Sequence, residues 1–167
     1  MTALPDRIAW AIEQLDPSPG DLVLEIGCGR GIAAAAICDR LKRGSYVGHD
    51  RSKIAIDAAR KRCADQIAAG KARFVLAPLA GTVFGKERFD CVLAINVNAF
   101  WTAPPASLAA LDRLLHPEGK AYLVYEPPTE KRLRDLREWL PTRLEENNFR
   151  VATVEVETMF DKVAVGD

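Results

Sequence analysis

An excess of charge of either sign is missing from this chain. Lys plus Arg and Asp plus Glu each number 23 among 167 residues, so the formal net charge at pH 7 is zero. Surfaces built for polyanions ordinarily carry a basic excess, so nucleic acid is not the expected partner. Histidine is scarce, with only His49 and His116, and the four cysteines (Cys28, Cys38, Cys63, Cys91) form no Cys-x-x-Cys pair and have no histidine at ligand spacing. No metal site is expected from such a set. No apolar run approaches the roughly 18 residues of a membrane span, and nothing reads as a secretory leader. The expectation is a cytoplasmic chain without membrane contact, its cysteines reduced and packed as small core residues. Repeats, low-complexity tracts and composition breaks are also lacking. One domain over residues 1–167 follows, with residues 1–20 as an N-terminal lid helix and linker and residues 21–167 as the core.

What is present is concentrated in residues 22–31. An apolar run, Leu22 to Ile26, reads as a buried parallel strand carrying one acid, Glu25. It breaks into glycines at alternate positions, Gly27, Gly29 and Gly31, and an alanine-rich helix follows from Ile32. Strand, glycine turn and helix let a nucleotide-like ligand lie against bare backbone at a helix N-terminus. Glycine serves there because it accepts positive φ and has no Cβ to hold a ligand away.

The rest of the chain alternates strand and helix patterns. Residues 4–16 carry a helical apolar stripe, with Pro5 suited to the first turn. A helix over residues 32–43 is expected to stop at Gly44, and a strand over residues 45–49 to end at Asp50. Ser52 is the expected N-cap of one long helix over residues 53–69, with Ile54, Ile56, Ala59, Cys63 and Ile67 on its apolar side. A strand at Ala72–Leu76 and a nearly all-apolar strand at Phe89–Ile95 follow, the latter fitting burial on both faces. Residues 96–105 read as loop, residues 107–115 as helix, and residues 120–125 as a fifth strand after a His116-Pro-Glu-Gly119 turn. A charged helix over residues 129–147 with a kink near Pro141 has mixed signs that fit a solvated face. Two closing strands, residues 150–158 and 162–165, are near enough to pair as a hairpin. The implied fold is α/β, a doubly wound and mostly parallel sheet with one antiparallel strand.

Four segments in order resemble one family. Glu25-Ile-Gly-Cys-Gly-Arg-Gly31 resembles motif I of class I S-adenosylmethionine-dependent methyltransferases. Gly48-His-Asp50 is similar to the acidic motif ending strand two, Phe89-Asp-Cys-Val-Leu-Ala-Ile-Asn96 to the strand-four motif, and Leu114-Leu-His-Pro-Glu-Gly119 to the turn before strand five. The resemblance covers nearly everything from Asp21 onward. It implies a Rossmann-like seven-stranded sheet in the order 3-2-1-4-5-7-6 with strand seven antiparallel, S-adenosyl-L-methionine as cofactor, and methyl transfer by direct in-line displacement to a small-molecule acceptor. A homodimer is compatible with it.

The resemblance also implies roles. Gly27, Cys28, Gly29 and Gly31 would form the cofactor loop, Glu25 would order it and face the methionine ammonium, and Asp50 would accept from both ribose hydroxyls. Arg51 would flank the adenine. Where the family often has an acid after strand three, this chain has Leu76-Ala-Pro-Leu-Ala80, so adenine would rest on Pro78 and Leu79. Asn96 lies where the transferred methyl should point, and Trp101, with Asn98 and Phe100, is a candidate for the acceptor pocket. Tyr125 and Glu126 are further candidates at the mouth. His49 adjoins Asp50, but strand alternation aims it at the other face. An Asn-Pro-Pro-Tyr motif of the kind associated with base or amide methylation is not present. Two other readings stand beside this one. A catalytically silent methyltransferase-like binding module is kept alive by the missing acid and the want of an evident base. A nicotinamide-dependent oxidoreductase is disfavoured because its fingerprint places the third glycine at position 32, not 31.

Overall fold

The computed structural model describes residues 4–81, 84–156 and 162–166. Strands β1 (Leu22–Ile26), β2 (Ser45–Asp50), β3 (Ala72–Leu76), β4 (Phe89–Ile95) and β5 (Leu115–Tyr125) pair in parallel in the order β3-β2-β1-β4-β5. β7 (Lys162–Gly166) adds to β5 in antiparallel sense, and β6 (Ala152–Val156) pairs antiparallel with β7.

Parallel strands need crossovers, and the crossovers cover both faces of the sheet. On one face lie α1 (Asp6–Leu15), α2 (Ala34–Arg40) and α3 (Lys53–Arg62), which pack Ile8, Ile12, Ile37, Ile56 and Ala59 against Val23, Tyr46 and Leu93. On the other, helices after β4 and β5 pack Phe100, Leu111, Leu136 and Leu140 against Leu24, Val47 and Val92. Neighbouring strand residues therefore serve opposite cores, Val23 one and Leu24 the other, which is why these strands are apolar almost without alternation. The one carboxylate among them, Glu25, is buried.

The connections reverse direction between β1 and β4, so a crevice opens at the carboxyl ends of these two strands, the usual ligand position in such sheets.

Several element limits differ from the sequence reading. The helix read over residues 53–69 is two: α3 ends at Cys63, whose φ of −105° and ψ of 28° leave the helical region, and α4 (Ala64–Ala68) begins there. Ile54, placed on the apolar side, is 76% exposed. Gly44 caps nothing, since α2 stops at Leu41; a Cβ there would collide with the Asp21 backbone. The segment read as loop over residues 96–105 contains a one-turn helix, α5 (Ala99–Thr102), and the start of α6 (Pro104–Leu114). The two prolines that looked like loop residues occupy the first turn of α6, where a missing N–H has no cost. β5 begins at Leu115 rather than Lys120, because Leu115 pairs with Phe89 and the register shifts between Phe89 and Cys91. In α7 (Glu130–Glu145) Thr129 Oγ1 accepts from the Arg132 amide at 3.3 Å, and Pro141 lies within the helix. Residues 157 and 158 of the first closing strand lie outside the described residues.

Candidate functional site

β1 delivers Glu25 and the glycine turn to the crevice. Gly27, Gly29 and Gly31 all have positive φ, at 71°, 53° and 70°. The turn is held from below by the last residues of β2: the amides of Gly27 and Cys28 donate to the His49 carbonyl at 2.8 and 3.0 Å. It is also held from the side. Asp50 Oδ2 accepts from the Gly29 amide at 3.0 Å, while Oδ1 accepts from the Ser52 amide at 2.8 Å. Asp50 thus clamps the loop to the start of α3, and Ser52 caps that helix, accepting from the Ala55 amide at 3.3 Å. Each carboxylate oxygen still has a lone pair to offer a ligand hydroxyl.

The three glycines do different work. A Cβ on Gly27 would come within 2.7 Å of Val97 Cγ2, so the turn and the loop after β4 touch only because no side chain intervenes. A Cβ on Gly29 would meet nothing within 4 Å, so bare backbone faces open space. Gly31 is where α3 closes on the turn: a Cβ there would lie 3.1 Å from Ala59 Cβ and 3.2 Å from Cys63 Sγ.

Two cavities open on this frame and share Gly27, Ile95 and Asn96. The larger, about 720 Å³, is lined by Asp50 and Arg51 after β2, Pro78 and Leu79 after β3, and the loop and helix walls after β4. The smaller, about 180 Å³, is lined by Glu25, Cys28, Gly29 and Arg30, with Arg7 from α1 as its outer wall. Asn96 stands between them, in a left-handed conformation (φ 54°) that asparagine tolerates better than most residues. Its amide donates to the Val124 carbonyl and its Oδ1 accepts from the Glu126 amide, both at 2.8 Å, so it ties the ends of β4 and β5 together.

Burial shapes the chemistry here. Glu25 accepts from the Tyr46 hydroxyl at 2.5 Å, yet desolvation raises its carboxyl to a pKa of about 7 against that hydrogen bond, helped by the nearby Asp50 charge. Burial also raises the Cys28 thiol, which is therefore protonated and a poor nucleophile at neutral pH. Burial pushes His49 below its ordinary value, against the nearby Asp50 charge. His49 and Asp50 both border the larger cavity, but their side chains alternate as strand geometry requires: the His49 ring packs edge-on against Phe84 on the side of the Leu24 and Val47 core, while the Asp50 carboxylate turns to the Gly29 and Ser52 amides.

Trp101, expected at the acceptor pocket, is elsewhere. Its ring lies 4.1 Å from the Arg132 guanidinium carbon, 6.4 Å from the Tyr125 ring and 6.2 Å from the Trp139 ring. It packs between α7 and the end of β5 and is not among the residues lining the two cavities. Phe100 is a core residue. Two features escaped the sequence reading. Ala99, Ala103, Ala106 and Ser107 form a smooth wall of the larger cavity, a run of small residues at helical spacing that could have been noticed. Arg7 reaches Glu126, 119 positions away, in an ion pair of 3.2 Å that nothing local in the sequence announces. Among the described residues no cluster of metal-ligating side chains occurs, and no helix is long and apolar enough to cross a membrane.

An S-adenosyl group suits these residues on the structure's own terms. A carboxyl group lines the smaller cavity, a carboxylate lines the larger, and a glycine-rich turn with bare backbone at Gly29 lies between. Known proteins point the same way. A family model described as a methyltransferase domain matches residues 23–119. Nocamycin O-methyltransferase of Saccharothrix syringae is 31% identical over 129 residues, covering 77% of this chain and 44% of that protein. The uncharacterized methyltransferase YodH of Bacillus subtilis (strain 168) is 32% identical over 139 residues, covering 78% and 58%. The chain thus spans about half the length of these curated relatives. A solved SAM-dependent methyltransferase from Aquifex aeolicus shares the fold at a TM-score of 0.80 over 98% of this chain and 90% of that one, with 16% identity.

Proposed function

This chain belongs to the methyltransferase-domain family, and from that premise we propose that it binds S-adenosylmethionine and transfers its methyl group to a small-molecule acceptor. One observation carries the reading: the two cavities meet at Gly27 and Asn96, with Glu25 on one side and Asp50, Pro78 and Leu79 on the other. In that order the residues match the amino-acid, ribose and adenine parts of one extended ligand. Glu25 receives the ammonium end, Asp50 the ribose hydroxyls, and Pro78 and Leu79 an apolar adenine face in place of an acidic contact. Arg51 flanks that face.

The bound cofactor supplies a methyl on a sulfonium, already activated for displacement. The chain's own residues contribute placement. Asn96, fixed from both sides, holds the junction where cofactor and acceptor meet, and in-line positioning is a large part of what such a transfer needs. The acceptor side belongs to the ends of β4 and β5, near Asn96 and Glu126. An oxygen nucleophile on a small molecule is the acceptor class we favour, in keeping with the name of the Saccharothrix relative. The reading takes the whole sheet as the family's seven-stranded arrangement, 3-2-1-4-5-7-6 with strand seven antiparallel. It takes the compartment as cytoplasmic, to which four buried free thiols are suited.

The test is transfer of isotope-labelled methyl from S-adenosylmethionine to a panel of small hydroxy and carboxy acceptors, with release of S-adenosylhomocysteine measured in parallel. Acceptor-dependent release is expected. Tight cofactor binding with no transfer to any acceptor would favour the silent binding module.

A further inference from the structure

The amino-acid end of the proposed cofactor is a zwitterion, and Glu25 answers only its positive half. We infer that Arg7 answers the other, releasing its ion pair with Glu126 to take the cofactor's carboxylate. The inference rests on the function proposed above and adds to it a latch across the mouth of the site.

Arg7 lines the smaller cavity together with Glu25, Gly27, Gly29 and Asn96. A guanidinium presents paired N–H donors that match a carboxylate, and among the described residues Arg30 is the other cationic side chain lining that cavity. Arg30 is exposed at the rim, whereas Arg7 stands on a helix whose backbone is anchored. Ile8, Ala11, Ile12 and Leu15 are buried in the core, so α1 does not swing as a whole; the Arg7 side chain is the part free to re-aim.

Its present partner is one it can leave. The side chains of Arg7 and Glu126 are 43% and 28% exposed, and pairs so open to water contribute little to holding either side chain in place. The Glu126 backbone is held independently of the pair, because its amide donates to Asn96 Oδ1 at 2.8 Å. Cofactor binding therefore draws Arg7 inward and uncovers the Glu126 carboxylate beside Asn96. The acceptor side is completed only after the cofactor has bound, which makes binding ordered.

Two ligands separate this latch from general binding: S-adenosylhomocysteine, which carries the amino-acid tail, and 5′-methylthioadenosine, which does not. Calorimetric titration is made on the full chain and on Arg7→Gln, Arg30→Gln and Glu126→Gln. Arg7→Gln should weaken S-adenosylhomocysteine about tenfold or more, the loss of a charge-assisted contact, and leave 5′-methylthioadenosine within about twofold. Glu126→Gln, which removes the competing carboxylate, should tighten S-adenosylhomocysteine by about two- to fivefold and leave the tail-less ligand unchanged. Arg30→Gln should alter neither. Equal weakening of both ligands by Arg7→Gln, no effect of that substitution, or a tail-selective loss in Arg30→Gln would overturn the latch alone. Failure of the unaltered chain to bind either ligand would overturn the function proposed above, and the latch with it.

Discussion

Glu25 is a carboxyl group in a strand that otherwise carries only apolar side chains, and its surroundings govern how it titrates. Burial raises it from an ordinary value near 4.5 to about 7. Between those values the folded chain holds a proton that the unfolded chain has released, so stability falls as pH rises from 4.5 toward 7 and then levels. The slope from this group reaches about 1.4 kcal/mol per pH unit. Glu25→Gln keeps an acceptor for Tyr46 but removes the titration. Thermal unfolding of both proteins from pH 5 to pH 8 should show the unaltered chain losing ground to the variant up to about pH 7 and running parallel above it; parallel curves throughout would be inconsistent with a buried, raised carboxyl. A cationic ammonium favours the ionised form, so cofactor affinity should rise over the same range and be flat in the variant. That Glu25, Asp50 and Asn96 line the crevice was legible because each is a polar residue in or at the end of an apolar strand, where an unexplained polar group is costly. Arg7 was not legible, since its significance comes from Glu126 across the sheet. The packing of Trp101 was not legible, because an aromatic in a connection does not reveal which side it packs on; its cation partner, Arg132, lies on α7.

At the scale of the element, the turn after β1 is the piece whose geometry admits least change. Gly27 combines a φ of 71° with a virtual Cβ only 2.7 Å from Val97 Cγ2. Gly27→Ala should destabilise the chain by about 2–4 kcal/mol, from backbone strain and the collision together. Adding Val97→Ala relieves the collision but not the strain, so the double variant should recover part of the loss. Chemical denaturation of the three proteins measures this; full recovery in the double variant would show that backbone strain contributes nothing. The glycine spacing made this turn readable, since few other residues accept three positive φ values in five positions. Element limits were less readable where tertiary contact overrides local signals. The break at Cys63 falls where its thiol donates to the Gly31 carbonyl at 3.6 Å, a contact between α3 and the glycine turn that apolar periodicity cannot express. Pro104 and Pro105 signal a helix start and a loop end equally well, and only the position of α6 distinguishes them.

For the molecule as a whole, the order of the strands decides where chemistry can happen. β1 and β4 are neighbours whose connections run to opposite sides, so the sheet itself leaves a crevice at their carboxyl ends. The strand–helix alternation made this architecture legible from the chain, because strands buried on both faces read as continuous apolar runs. The identity of the acceptor was not, since the acceptor side we propose draws on the ends of β4 and β5, segments remote in sequence and joined only in the fold. Everything proposed here depends on that crevice holding S-adenosylmethionine. The first measurement is therefore a calorimetric titration of the full chain with S-adenosylmethionine and S-adenosylhomocysteine, repeated on Asp50→Ala, which removes the acceptor for the Gly29 and Ser52 amides and the acceptor we propose for the ribose. One-to-one binding with a micromolar dissociation constant, abolished in Asp50→Ala while the variant remains folded by circular dichroism, is the predicted result. Absence of binding to the unaltered chain at millimolar ligand, or unchanged affinity in Asp50→Ala, would contradict it.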